Sequence, residues 1–367
     1  KNRITAIREN NIKETKPTSL PSFPIDTPTE KVAEKVVEAF KKIADEHGPE
    51  SIGFLGSPYA TNEENYLYQK LFRLLGTNNI DHKSYLDTPG LPIGHYDIEQ
   101  IENSNVVLLI ASDPTEELPI LDLRIKKAVS RCGTKLLSLN DQGTALDKYA
   151  DLKVKYKVGS EAYAVDALAE GLARELGEST DFSSNLRKTG ISKDEMKSLV
   201  EAVRSSMKIC VVYNPAALSG DTVLRVKRLL SMITKIPTIE CGAIPAAPAT
   251  NAVGAMDMGL VSDFYPGGVS VSDSEKVKEL WGETAPTKAG LTALEMIAKA
   301  KSGELKALWV HRSNPVEDFP GRAQVVEALK NLDLLVVHDM LETETTQLAK
   351  IVLPSNGPAF DEGTTTN

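Results

Sequence analysis

Apolar positions recur along this chain with two periods, and the periods alternate. Glu30–Glu46 puts Val32, Val36, Phe40 and Ile43 on one side of a 3.6-residue repeat, which predicts a helix. Ser51–Leu55 is a short apolar run and predicts a strand. The next helix opens at Thr61, where Thr61 and Glu64 have the spacing of a capping box. Leu67, Leu71, Leu74 and Leu75 follow at helical intervals and predict its apolar face. Gly76 stands where a helix stop requires positive φ. Asn105–Ala111 is continuously apolar, the pattern of a strand buried on both faces of a parallel sheet. An amphipathic helix then runs to Arg131, followed by strands over Lys135–Leu139 and Lys153–Lys157. Glu161–Leu176 and Ser192–Ser205 read as helices and Lys208–Tyr213 as a strand. Later come helices over Thr292–Ser302 and Gly321–Leu329, with strands over Leu305–His311, Leu332–Asp339 and Lys350–Leu353.

Strands alternating with helices predict an α/β protein with doubly wound, Rossmann-like parallel sheets. Val106–Pro114 parallels Leu308–Pro315: a strand, then Asp or Asn followed by Pro, then a helix. Two similar α/β lobes would give that rhythm. Residues 14–28 carry Pro17, Pro21, Pro24 and Pro28 and read as a linker, so 1–28 is expected to be extended. Pro237–Pro248 is rich in Pro, Gly and Ala and reads as a crossing between the lobes.

With 367 residues, 41% hydrophobic and 25% charged, the composition is that of a globular chain of two or three domains. A net charge of −9 argues against a nucleic-acid partner, which needs a basic field. No apolar run reaches the ~20 residues of a membrane-spanning helix. Cys132, Cys210 and Cys241 fit no zinc or iron–sulfur spacing. The sequence also lacks G-x-G-x-x-G after a strand, a phosphate-binding G-x-x-x-x-G-K-[ST] loop and a G-x-S-x-G elbow.

Candidate chemistry therefore rests on the carboxyl ends of the strands, where open α/β sheets bind ligands. In one lobe these positions are Ser112, Asp113, Asn140, Asp141, Gly159, Ser160 and Glu161. In the other they are Ser313, Asn314, Asp339, Thr343 and Glu344. Short polar side chains at helix N-termini can hold phosphates, and an Asp there can accept from a ribose or a base. The same residue types are also ordinary N-caps and turn formers. His47, His82, His95, His311 and His338 have no i,i+4 metal spacing and read as structural or solvent-facing.

Three segments resemble one family. Asn62–Asp81 follows N-E-x-x-Y-x-x-Q-K-x-x-R and ends in G-T-N-N-x-D. Asn251–Gly259 reads NAVGAMDMG, with FYPG at Phe264–Gly267. Ala307–Asn367 holds a S-N-P turn after a strand and then D-x-x-x-T-E-T-x-x-x-A-x-x-V-L-P. In this order the segments resemble the molybdopterin oxidoreductases. The resemblance implies two α/β lobes, with 94–239 inserted between 29–93 and 240–367. It implies that the strand-end residues named above descend from the grip on a molybdopterin guanine dinucleotide. Relatives also carry a metal-ligating Cys or selenocysteine after the G-T-N-N run, where this chain has Asp87. Asp87 would be the metal ligand if the chain were a molybdoenzyme, or a turn former before Thr88-Pro89-Gly90. Two further patterns depart. Asn140-Asp141-Gln142-Gly143-Thr144 lacks the Arg of D-P-R-x-T, and Val158-Gly159-Ser160-Glu161 lacks the Pro of P-G-T-D.

These losses make the chain most similar to the branch that forms the large peripheral-arm subunit of bacterial NADH:quinone oxidoreductases. That implies a middle fragment with iron–sulfur clusters in an upstream region, no cofactor in this part and no catalysis by it alone. Its partners would be the other peripheral-arm subunits, on the cytoplasmic side of the inner membrane. A formate-dehydrogenase-like molybdoenzyme and a cofactor-free nucleotide-binding module are the alternatives.

Overall fold

A computed structural model describes residues 8–9, 29–82, 96–115, 118–180, 182–215, 217–218, 220–247, 249–282, 285–357 and 362–366. Asp87, His95 and the proline-rich stretch over 14–28 lie outside the described residues. The chain divides into two compact units, one from residues 1–84 with 249–367 and one from residues 85–248.

In the first unit the strands lie in the order Arg8–Glu9, Ile351–Pro354, Leu334–Asp339, Ala307–His311, Ile52–Gly56, Ile80–His82. All pair in parallel except Arg8–Glu9. The chain enters at Ile52–Gly56, steps outward to Ile80–His82, then crosses back to Ala307–His311. The strand order thus reverses between Ile52–Gly56 and Ala307–His311, and such a switch point opens a crevice at the carboxyl edge. Leu308, Val310, Leu335 and Val337 pack under the helices Ala293–Ser302 and Arg322–Asn331 on one face. Ile52, Phe54, Trp309 and Val336 pack under Thr29–His47 and Asn62–Leu74 on the other.

The second unit has a fully parallel sheet in the order Leu152–Lys155, Lys135–Asn140, Val106–Ile110, Lys208–Tyr213, Glu240–Pro245. Its switch point lies between Val106–Ile110 and Lys208–Tyr213. All five residues of Val106–Ile110 are buried, because Val106, Leu108 and Ile110 enter one core and Val107 and Leu109 the other. That two-sided burial is why the segment is apolar without alternation.

Two sequence readings need correction. The helix Asn62–Leu74 has the expected capping box at Thr61 and Glu64, and Gly76 has φ 93°. Of its expected leucines, Leu71 and Leu75 pack against the core, but Leu67 is 62% and Leu74 57% exposed. The face turned inward carries Asn65, Gln69, Phe72 and Arg73. Phe72 meets Phe40 edge to face at 5.4 Å. Arg73 donates from Nη2 to the carbonyls of Gly259, Val261 and Phe264 and lies 4.1 Å over the ring of Tyr265. Arg73 is inside because the loop 259–265 presents carbonyls that need donors, while Gln69 donates to the Tyr66 carbonyl of its own helix.

The second correction concerns the stretch Pro237–Pro248. Glu240–Pro245 is not a crossing but the edge strand of the second unit's sheet, reached through the helix Gly220–Thr234. Its Gly242 has a physical reason, since a Cβ there would stand 2.2 Å from the Tyr96 ring.

Candidate functional site

The parallel rhythm seen in the sequence becomes a repeated backbone elbow. In the second unit, Val106–Ile110 ends at Ala111 with φ 49°, followed by Ser112-Asp113-Pro114. In the first, Ala307–His311 ends at Arg312 with φ 48°, followed by Ser313-Asn314-Pro315. These are the only non-glycine residues with positive φ among the described residues. Holding a residue with a Cβ there costs about 1–3 kcal/mol, and such strain gathers at ligand sites. In both elbows the serine is buried and its Oγ has no hydrogen-bond partner.

The elbow of the second unit lines a cavity of about 440 Å³ at the carboxyl edge of the sheet. Ala111, Ser112 and Asp113 form one side, and Asn140, Asp141, Gln142 and Thr144 the next. Asn214 and Ala217 enter from beyond Lys208–Tyr213, and Tyr156 and Glu161 complete the lining. Asn140 fixes the elbow: its Oδ1 accepts from the Ser112 amide at 2.7 Å and its Nδ2 donates to Ser138 Oγ at 2.9 Å. Asp113 accepts from the Thr115 hydroxyl at 2.6 Å and the Ala145 amide at 3.0 Å. Glu161 accepts from the Gly159 amide at 3.1 Å and stands in the first turn of the helix Glu161–Glu175, where a carboxylate is favoured. Among the described residues the lining therefore holds three carboxylates and no lysine or arginine. Burial, then the charges of Asp141 and Glu161, raises the Tyr156 hydroxyl above its usual range.

Of the seven residues expected at this edge, the cavity gathers Ser112, Asp113, Asn140, Asp141 and Glu161. Gly159, at φ 78°, and Ser160, whose hydroxyl donates to the Lys157 carbonyl, shape the turn before the helix Glu161–Glu175 and lie outside the lining.

The elbow of the first unit is occupied by its own side chains. Arg312 donates to Glu64 Oε1 at 3.0 Å and to the Tyr59 carbonyl at 3.3 Å. His311 Nε2 lies 3.5 Å from the same Glu64 oxygen. Burial would raise Glu64, but His311, the Thr61 amide and Arg312 together pull it down to about 2. Tyr68 meets His338 Nδ1 at 2.7 Å, and His338 Nε2 lies 3.2 Å from the Pro354 carbonyl. A carbonyl can only accept, so Nε2 carries the proton and Nδ1 accepts from the Tyr68 hydroxyl. Burial, then the neighbouring His311 ring, lowers His338 to about 3. His311 and His338, read from the sequence as isolated residues, belong to a joined polar cluster.

The other expected residues of this unit are spent on local structure. Asn314 Oδ1 accepts from the Thr345 hydroxyl at 2.6 Å, and its Nδ2 donates to Glu317 at 2.8 Å. Thr343 caps the short helix Glu344–Leu348. Asp339 accepts from the Met340 amide at 2.7 Å, and burial raises its carboxyl. Sequence reasoning missed Glu64, Tyr68 and Arg312 as site residues. The signal for Glu64 was hidden because a capping glutamate already has a sufficient role. Among the described residues, no three or more His, Cys, Asp or Glu side chains are grouped to hold a metal ion. No helix among them is long and apolar enough to cross a membrane.

The family model described as molybdopterin oxidoreductase matches residues 30–367. The chain is 28% identical over 362 residues to NADPH-Fe(3+) oxidoreductase subunit alpha of Geobacter sulfurreducens, covering 89% of this chain and 43% of that one. It is 29% identical to F420-dependent formate dehydrogenase 1 subunit alpha of Methanococcus maripaludis, over 88% of this chain and 53% of the relative. It is 28% identical to an NADH-quinone oxidoreductase subunit of Rhizobium meliloti, over 86% of this chain and 39% of the relative. The chain thus spans about half, or less, of the length of these relatives. Among solved structures, acetylene hydratase from Pelobacter acetylenicus superposes with a TM-score of 0.63 at 16% identity, over 97% of this chain and 55% of that chain.

Proposed function

The chain belongs to the molybdopterin oxidoreductase family, and from that premise we propose that it is a scaffolding part of a multi-subunit redox enzyme of the NADH:quinone oxidoreductase type. In this reading it keeps the family fold and has lost the pterin. Electrons from NADH pass through iron–sulfur clusters held elsewhere in the same subunit, and this part supports that region and docks neighbouring peripheral-arm subunits.

The observation that carries the reading is the charge of the second unit's cavity. A pterin guanine dinucleotide brings a pyrophosphate, and buried phosphate needs cations or free amide donors. The lining offers three carboxylates and, among the described residues, no cation, and Glu161 places one of those carboxylates at the nearby helix N-terminus. In the first unit Arg312 is engaged with Glu64. The residues present do not fit the dinucleotide. The same loss stands in the sequence at Gln142, where the family pattern has an arginine.

A second reading has a specific observation behind it: a relative named formate dehydrogenase is as similar as the one named NADH-quinone oxidoreductase. It makes the chain part of a molybdoenzyme with Asp87 on the metal. Asp87→Ala in the assembled NADH-oxidising complex separates the two. The scaffold reading expects NADH–quinone turnover within about twofold of wild type. Loss of turnover with normal assembly would refute it.

A further inference from the structure

The two elbows differ in what stands at the strained position, and the difference has chemical content. In the first unit it is an arginine, and its guanidinium rests on Glu64, whose Oε1 also lies 3.5 Å from His311 Nε2. In the second unit the same position is Ala111, which has no such group to offer. The acceptors nevertheless remain. Asp141 has no hydrogen-bond or ion-pair partner among the described residues, and Glu161 uses Oε1 for Gly159. Both carboxylates act on Tyr156, whose ring is 4% exposed and lines the same cavity. The independent sign of a ligand is Ser112. It is 2% exposed, lines the cavity and leaves its Oγ without a partner. An orphaned buried hydroxyl costs about 1–3 kcal/mol unless something meets it.

We propose that this cavity binds a guanidinium group, with Asp141 and Glu161 as the carboxylate partners, Tyr156 as the aromatic face and Ser112 Oγ as a further acceptor. A guanidinium has five N–H donors in a plane and stacks on aromatic rings, which matches a lining rich in carboxylate, amide and hydroxyl oxygens. The inference rests on the reading that the guanine dinucleotide no longer occupies this place. The group can come from a free small molecule or from an arginine of a partner subunit.

The test is titration of the full-length protein with agmatine, followed by calorimetry, beside guanosine diphosphate as the competing chemistry. The expected result is saturable agmatine binding. Asp141→Asn and Glu161→Gln each weaken it about tenfold, and Ser112→Ala weakens it severalfold. Tyr156→Leu, which removes the ring, weakens it. Guanosine diphosphate does not bind. Repeating the titration on the assembled complex separates the sources. Binding to both forms indicates a free ligand, and binding to the isolated chain alone indicates a partner's arginine. Absence of agmatine binding to the isolated chain, or binding that Asp141→Asn and Glu161→Gln leave intact, overturns the proposal. Binding of guanosine diphosphate instead overturns it together with the scaffold reading. Failure of agmatine alone leaves that reading standing.

Discussion

His338 should give the first unit a pH-dependent stability whose size follows from its surroundings. Its neutral ring is fully used, since Nδ1 accepts from Tyr68 and Nε2–H faces the Pro354 carbonyl. A second proton on Nδ1 would force the Tyr68 hydroxyl to turn from donor to acceptor and place a buried cation beside His311 and Arg312. In the unfolded chain the ring titrates near 6.5, and in the fold near 3. Below pH 6.5 the unfolded chain takes up a proton that the fold refuses. Stability is therefore complete above about pH 6.5 and falls as the pH drops towards 3. At about 1.36 kcal/mol per unit, lowering the pH from 7.5 to 5 removes about 2 kcal/mol. Glu64 does not contribute in that window. Its carboxyl lies near 2 in the fold against 4.5 ordinarily, so its stabilisation is lost only below about pH 4.5. Asp339 works the other way, since a raised carboxyl adds stability as the pH falls. The comparison must therefore be with His338→Gln, which keeps Asp339 and cannot titrate. Both tryptophans of the chain, Trp281 and Trp309, lie in the first unit. Urea unfolding followed by tryptophan fluorescence reports on that unit alone. Wild type should lose about 2 kcal/mol more than His338→Gln between pH 7.5 and 5. Equal losses in the two proteins would refute the reasoning.

Other predictions follow from single contacts. Arg73→Met leaves three inward carbonyls without their donor and should cost about 3–5 kcal/mol in the same fluorescence assay, with Arg73→Lys recovering part of it. A cost below about 1 kcal/mol for Arg73→Met would contradict its role as the clamp of the loop 259–265. Ser192→Ala removes the capping box of Lys193–Arg204 and should destabilise the second unit by about 1 kcal/mol. That change should be visible by circular dichroism and silent in tryptophan fluorescence.

The sheets were legible because parallel strands buried on both faces must be apolar, as Val106–Ile110 and Ala307–His311 are. Caps were legible because a reciprocal Thr61–Glu64 pair depends only on local spacing. The buried face of Asn62–Leu74 was not, since leucines at helical intervals outweigh polar residues in any periodicity argument. Arg73 is inside because the distant loop 259–265 needs its donors, and spacing along one helix carries no trace of that. Glu240–Pro245 was missed for a related reason. Its Gly242 answers the Tyr96 ring rather than a turn. At the site, the strand-end positions of the second unit could be named from the fold pattern alone. The cluster around Arg312 could not, because Glu64 and Tyr68 come from a helix about 250 residues earlier in the chain (248 between Glu64 and Arg312).

The central claim is that this family member keeps its fold without the pterin cofactor. The most direct measurement is the molybdenum, tungsten, acid-released pterin and guanine nucleotide content of the native full-length protein. The account predicts no stoichiometric metal, pterin or nucleotide. Near-stoichiometric metal with pterin would contradict it and place Asp87 at the centre of a molybdoenzyme.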